Sequence, residues 1–254
     1  MFEVTARLKV RDGELEGFKR QAAEVMRLAR EKDTKTLRYD WFIADDGVQC
    51  EVREGYVDAD GLLEHNNHVK EARDKLFRDY AYDHDMTIYG EPSPALLELL
   101  EVMRDHIKLH RFSLFQGLGG EGQVDHDAFE ATAALKIRDG ELESFTRQAA
   151  AIMRQIEQQD VTPLRYDWFL SDDGTECEVR EAYVDGDAML AQQLQIREAK
   201  TALFPFLAGH EMKFYAEPSP AFLEMLKALD AVFTQFHFLQ GLDADIHVRD
   251  EITV

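Results

Sequence analysis

Hydrophobic and polar positions change period several times along the first hundred residues, and each change predicts an element. "FEVTARLKV" alternates, with Phe2, Val4, Ala6, Leu8 and Val10 on one face and Glu3, Thr5, Arg7 and Lys9 on the other, which predicts a half-buried strand. In "RDGELEGFKRQAAEVMRLAREKD" the apolar residues Leu15, Phe18, Ala22, Val25 and Ala29 recur at three- and four-residue spacing, predicting a helix with Asp12 as its N-cap. Alternation returns on both sides of "ADDGVQ", so two strands joined by an Asp-Gly turn are expected. "GLLEHNNHVKEARDKLFRDYA" then presents Leu62, His65, Val69, Ala72 and Leu76 on one helical stripe, capped by Asp58 or Asp60. "MTIYGE" reads as a last strand. "PSPALLELLEVMRDHIKLH" reads as a third helix, with Ser93 as cap and Pro94 in the first turn.

The series occurs twice. "LRYDWFIADDGVQCEVREGYVD" from Leu37 returns as "LRYDWFLSDDGTECEVREAYVD" from Leu164, and Tyr39, Trp41, Cys50, Glu54 and Tyr56 reappear as Tyr166, Trp168, Cys177, Glu181 and Tyr183. Residues 1–118 form the first copy, 119–127 a Gly-rich acidic linker, and 128–254 the second copy with a tail that is either free or a short added strand. Each copy reads β-α-β-β-α-β plus a helix, the ferredoxin-like unit in which both crossover helices cover one face of an antiparallel sheet. The other face of a lone sheet needs a partner. The expected fold is therefore α+β, with the two repeats fused into an intramolecular pseudo-dimeric α+β barrel.

Composition narrows the partners. The 254 residues include 29 Lys and Arg against 50 Asp and Glu, a net charge of −21, which repels nucleic acid and anionic lipid. No apolar run approaches the roughly 20 residues of a bilayer span, and Glu3 and Arg7 interrupt any signal-peptide core. The two cysteines occupy matching repeat positions and read as free buried thiols of a cytoplasmic protein. No dinucleotide fingerprint is present.

Strand phase selects the candidate chemistry. Leu37, Tyr39, Trp41 and Ile43 share the face that should meet the helices, as do Cys50, Val52, Glu54 and Tyr56. The opposite face carries Glu3, Arg7, Lys9, Arg38, Asp40, Glu51 and Arg53, either as a salt-bridged lining or as a ligand site. Glu54, in an aromatic surround, is a desolvated proton acceptor or a hydrogen-bonded core carboxylate. His65 faces the sheet, with His68 one turn on, and is a base near physiological pH or a core histidine. The second copy has Gln192 and Gln195 there, so imidazole chemistry would belong to the first copy alone. Tyr39, Trp41 and Tyr56 either stack on a flat aromatic substrate or are simply core. "HNNH" is an i, i+3 pair for which spacing supplies no third metal ligand.

In "ARLKVRDGELEGF", "RYDWF", "EVREGYVDADGLLEH" and "MTIYGEP" each copy resembles the antibiotic biosynthesis monooxygenase family of the dimeric α+β barrel superfamily. The resemblance implies a pocket between sheet and helices and a cofactor-independent oxygenation of a small aromatic molecule, a quinol or anthrone, by O₂. His65 or Glu54 would be the base, and Tyr39, Trp41, Tyr56 and His68 the substrate surround. Haem-degrading relatives carry an Asn on the first strand and a haem-ligating His on the second helix. Ala6 and Arg73, with Ala133 and Lys200 in the second copy, stand at those places, so no haem is expected; with no flavin- or dinucleotide-binding signature and no third ligand beside "HNNH", no flavin or metal is expected either. The alternative is a non-catalytic binding or structural protein on the same barrel, monomeric as a pseudo-dimer or further assembled.

Overall fold

A computed structural model of the chain describes residues 1–103, 105, 107–118, 128–158 and 163–242. The linker expected at 119–127 and the terminal "DADIHVRDEITV" lie outside the described residues. The chain divides into two compact units, Met1–His110 with His237–Val254, and Arg111–Phe236.

The first unit runs β1 (Phe2–Val10), α1 (Leu15–Lys32), β2 (Thr36–Ala44), β3 (Gln49–Tyr56), α2 (Ala59–Asp79), β4 (Ala81–Tyr89) and α3 (Pro94–Met103). Its strands lie in the order β4-β1-β3-β2, antiparallel throughout, which is the order the split β-α-β unit requires. The predicted stripes do the packing. Phe18, Ala22, Val25, Met26 and Ala29 of α1 and Val69, Ala72 and Leu76 of α2 share one core with Ala6, Leu8, Tyr39, Trp41, Ile43, Cys50 and Val52. Fully burying a large apolar side chain of this kind stabilises by roughly 1.5–3 kcal/mol. Leu62 joins a second cluster with Phe2, Val4, Tyr56, Ile88 and Leu96, where α3 covers the other end of the sheet.

Local chemistry settles the boundaries. Asp58 caps α2, accepting from Gly61 N at 3.0 Å, and Ser93 Oγ accepts from Leu96 N at 3.3 Å. Gly47 closes the β2–β3 turn at φ +65, as the Asp-Gly pair predicts. Asp12 does not cap α1. The left-handed Gly13 (φ +74) ends a turn there, and the helix begins two residues later behind Glu14, which makes no side-chain cap. Leu37 also departs from expectation: a register shift between Thr36 and Arg38 takes it out of the alternation and leaves it exposed.

The second unit repeats the order with β6 (Phe129–Ile137), α4 (Leu142–Ile156), β7 (Arg165–Ser171), β8 (Glu176–Tyr183), α5 (Gly186–Gln195), α6 (Arg197–Thr201), β9 (Leu207–Phe214) and α7 (Pro220–Ala228). Its strand order β9-β6-β8-β7 matches the first. The helix that is continuous as α2 is here broken at Ile196 and ends before a 3₁₀ turn holding Pro205.

Each repeat also ends in a strand that the pattern did not predict, β5 (Lys108–Gly117) and β10 (Phe233–Gln240). The third helix was expected to run to His110, but it stops at Met103. In the second unit Phe112–Gly117 pairs antiparallel with β7, and Phe233–Gln235 pairs parallel with β9. In the first unit Leu239 and Leu242 pack on the α1 core, and Phe238 meets Phe42 edge-on at 5.7 Å. Among the described residues no helix is long and apolar enough to cross a membrane.

Candidate functional site

Strand register brings the first group together. Glu54 of β3 lies opposite Tyr39 of β2 and Val4 of β1, with Tyr56 two residues on and therefore on the same face. All four side chains are buried. Tyr56 Oη donates to Glu54 Oε2 at 2.6 Å. The α2 stripe adds His65, whose ring stands edge-on to Tyr39 at 4.5 Å and tilted to Tyr56 at 5.8 Å.

The end of α1 supplies the residue that orients the histidine. Asp33 is the C-cap, its N–H donating to Ala29 O, and its side chain is 2% exposed. Asp33 Oδ2 faces His65 Nδ1 at 2.7 Å and accepts from Thr36 Oγ1 at 2.8 Å, while Oδ1 faces His68 Nδ1 at 2.8 Å. A carboxylate at a helix C-terminus opposes the helix dipole, and two imidazole donors and a hydroxyl offset that. Because a carboxylate accepts, each Nδ1 carries the proton, and Nε2 of His65 is left as the basic nitrogen.

The two carboxyls are pushed in opposite directions. Burial pulls Asp33 upward, but the hydrogen bonds from His65, His68 and Thr36 and the electrostatic attraction of His65 outweigh it and hold Asp33 below the usual carboxylate range. Burial raises Glu54, and His65, the Tyr56 hydroxyl and the more distant Arg73 only partly oppose it. Burial and the Glu54 charge push Tyr56 well up, and Tyr39 likewise, so both phenols stay neutral donors. Arg73, farther along α2, donates to Asn66 Oδ1 and keeps a permanent positive charge beside this group.

The second unit keeps the carboxylate and phenols and loses the imidazoles. Tyr183 Oη lies 2.6 Å from both Glu181 Oε2 and Gln192 Oε1. One hydroxyl proton cannot serve both; turning the Gln192 amide makes Nε2 a donor to Tyr183 and leaves the phenol proton for Glu181. Lys200 approaches Glu181 Oε1 at 3.4 Å and Gln193 Oε1 at 2.8 Å, a direct countercharge for the buried acid.

Of the residues singled out by sequence, Glu54, Tyr56, Tyr39 and His65 form one cluster, and His68 joins it through Asp33. Trp41 stands in the hydrophobic core, 6.0 Å from Phe18, and meets the cluster through its 5.7 Å edge contact with Tyr39. Asp33 was missed, because a polar residue in "KDTKT" carries no periodic signal. The i, i+3 histidines also gain neighbours that spacing did not reveal: Asp33, Glu64 and His68 each offer an atom within 4.8 Å of the others, as a metal ion would require. On the polar strand face the short ion pairs repeat between units, with Arg38–Asp40 and Arg165–Asp167 both at 2.7 Å. Glu51 pairs with Arg7 at 3.6 Å and Glu178 with Arg180 at 3.7 Å.

No protein-family profile and no curated protein sequence matches the chain. Solved structures do. A provisionally named monooxygenase from Fusobacterium nucleatum superposes with a TM-score of 0.60 at 10% identity, over 83% of this chain and 89% of that one. A second protein so named, from Lactobacillus acidophilus, gives 0.55 at 10% identity over 83% and 90%. An anthrone oxidase-like protein gives 0.51 at 8% identity over 84% and 88%. The chain thus has the fold of these proteins in a tandem-duplicated form, the fold expected from the resemblance to the antibiotic biosynthesis monooxygenases.

Proposed function

Taking that fold as the premise, we propose that the chain is a cofactor-independent monooxygenase of an electron-rich aromatic such as an anthrone or quinol, with the first unit as its working half. The observation that carries the reading is the Asp33–His65 pair set among Tyr39, Tyr56 and Glu54. Asp33 fixes the tautomer and stabilises the imidazolium, so His65 Nε2 takes the substrate's acidic proton. The carbanion passes an electron to O₂, and the two radicals join in a C–O bond. Protonation by His65 gives a hydroperoxide. Loss of the second C–H proton then cleaves the O–O bond, leaving a carbonyl and water, so that R₂CH₂ and O₂ become R₂C=O and H₂O. Neutral Tyr39 and Tyr56 supply flat walls and donors for the developing oxyanion. Trp41 backs Tyr39, His68 steadies Asp33, and Glu54 is the second carboxyl able to hold a proton.

His65 is 4% exposed, so a substrate reaches Nε2 only when the packing around the ring opens. The same burial favours the second reading, a non-catalytic binding or structural protein. Oxygen uptake with a panel of anthrones and quinols separates them: turnover by the wild type and its loss in His65→Gln support the oxygenase, and no uptake with any member supports the rival. We further propose that the repeats 1–118 and 128–254 pair as a fused dimer whose sheets form one barrel, in a cytoplasmic protein. The near letter-for-letter return of the segment from Leu37 at Leu164 and the superposition over 83% of this chain support the pairing, and an experimental structure with the sheets apart would refute it.

A further inference from the structure

Where α2 meets the end of α1, donor atoms gather that the oxygenase reading uses only in part. Asp33 Oδ2 is committed to His65 and Thr36, while Oδ1 faces His68 alone among the hydrogen bonds described. Glu64, one residue before His65, brings its carboxylate beside them, and ligand atoms of Asp33, Glu64 and His68 lie within 4.8 Å of one another. His68 and Glu64 are half-buried, so an ion can arrive from solvent.

We propose that Asp33, Glu64 and His68 bind one divalent transition-metal ion of the Zn²⁺ type. Ligands held at about 2.0–2.1 Å in a tetrahedron stand roughly 3.3 Å apart. The 2.8 Å between Asp33 Oδ1 and His68 Nδ1 therefore opens by about 0.5 Å when the ion replaces the shared proton. A small turn of the half-exposed imidazole supplies it, and the displaced proton moves to Nε2. Glu64 is already oriented by the Thr34 N–H at 2.6 Å and Thr34 Oγ1 at 3.2 Å, the kind of outer contact that steadies metal-binding carboxylates. Two carboxylates and a neutral imidazole balance the ion's charge, and water completes the fourth position. Lys35, the neighbouring cation, is drawn away to Asp58 at 2.9 Å. The imidazole favours Zn²⁺, Co²⁺ or Ni²⁺ over Mg²⁺ and Ca²⁺.

The duplicated sequence limits the site to one per chain, since Ala191 and Gln195 stand where Glu64 and His68 do. Metal at Oδ1 leaves Oδ2 on His65, and ion binding and oxygenation are read by separate experiments.

The test uses the full-length chain without a histidine tag, stripped with EDTA and titrated with ZnCl₂ by calorimetry near neutral pH. One ion per chain is expected, with binding weakened at least about tenfold in Glu64→Gln and in His68→Gln, unchanged in Gln195→Ala, and absent for MgCl₂. Because a variant can fail to fold, CoCl₂ on the wild type gives a second reading: visible bands of four-coordinate strength that ZnCl₂ removes. No saturable Zn²⁺ binding, or equal affinity in folded Glu64→Gln and His68→Gln, overturns the site. Either result leaves the oxygen-uptake experiment as it was.

Discussion

His65 Nδ1 stands 2.7 Å from Asp33 Oδ2, a contact that joins the sheet-facing stripe of α2 to the last turn of α1 across 32 residues of chain. It fixes the ring between two tyrosines and leaves Nε2 as the free basic nitrogen. The two buried carboxyls of this site respond oppositely to burial and donors, and that difference is measurable.

Asp33→Asn should destabilise the protein by about 1.5–3 kcal/mol at neutral pH, the worth of a charge-assisted hydrogen bond in a buried setting. Asp33 has a lowered native pKa, so its contribution is present above the ordinary carboxylate range and lost as pH falls through the native value. Urea unfolding of wild type and variant should therefore converge below about pH 4. A difference that stays constant from pH 7 to pH 3 would show that the charge is not what matters.

Glu54→Gln should behave the other way. Its native pKa is raised, so the folded state holds the proton more tightly than the unfolded chain does. Any stability due to that proton is present below the unfolded pKa and disappears as pH rises through the native one. The amide can still accept from Tyr56, and it carries no buried charge. The variant should gain on the wild type between pH 4 and pH 7. If instead it loses ground over that range, Glu54 is stabilised as an anion and the raised pKa is wrong.

The two units should contribute unequally to any activity. His65→Gln removes the base, because an amide does not titrate near neutrality, whereas Gln192→Ala removes only a hydrogen bond to Tyr183. Oxygen uptake should fall by at least about a hundredfold in the first variant, within the usual worth of a general base, and by little in the second. Equal losses would reject the assignment.

Tyr183→Phe should cost about 1–3 kcal/mol, since it strips a partner from both Glu181 and Gln192 in a buried setting. Thermal unfolding reads this directly; a change within a few tenths of a kcal/mol would mean that water or a rearranged Lys200 replaces the hydroxyl.

Much of the fold was legible because strand and helix periods are local. The face shared by Tyr39, Trp41, Cys50, Val52, Glu54 and Tyr56, and the stripe carrying His65, followed from alternation and 3.6-residue spacing, and duplication confirmed both by repeating them. β5 was not legible: Leu114 and Phe115 are adjacent and both exposed, so no alternation marks the strand, and its pairing with β7 forms it. The sequence by itself determined which residues face the helices, Leu37 excepted, how often the unit recurs, and that the imidazoles of His65 and His68 have glutamines at the matching places of the second copy. Tertiary structure decided that Asp33 serves His65 and His68 and that Glu64 stands beside them, because the partners of a C-cap side chain depend on the angle at which two helices cross the sheet, which no spacing along the chain encodes.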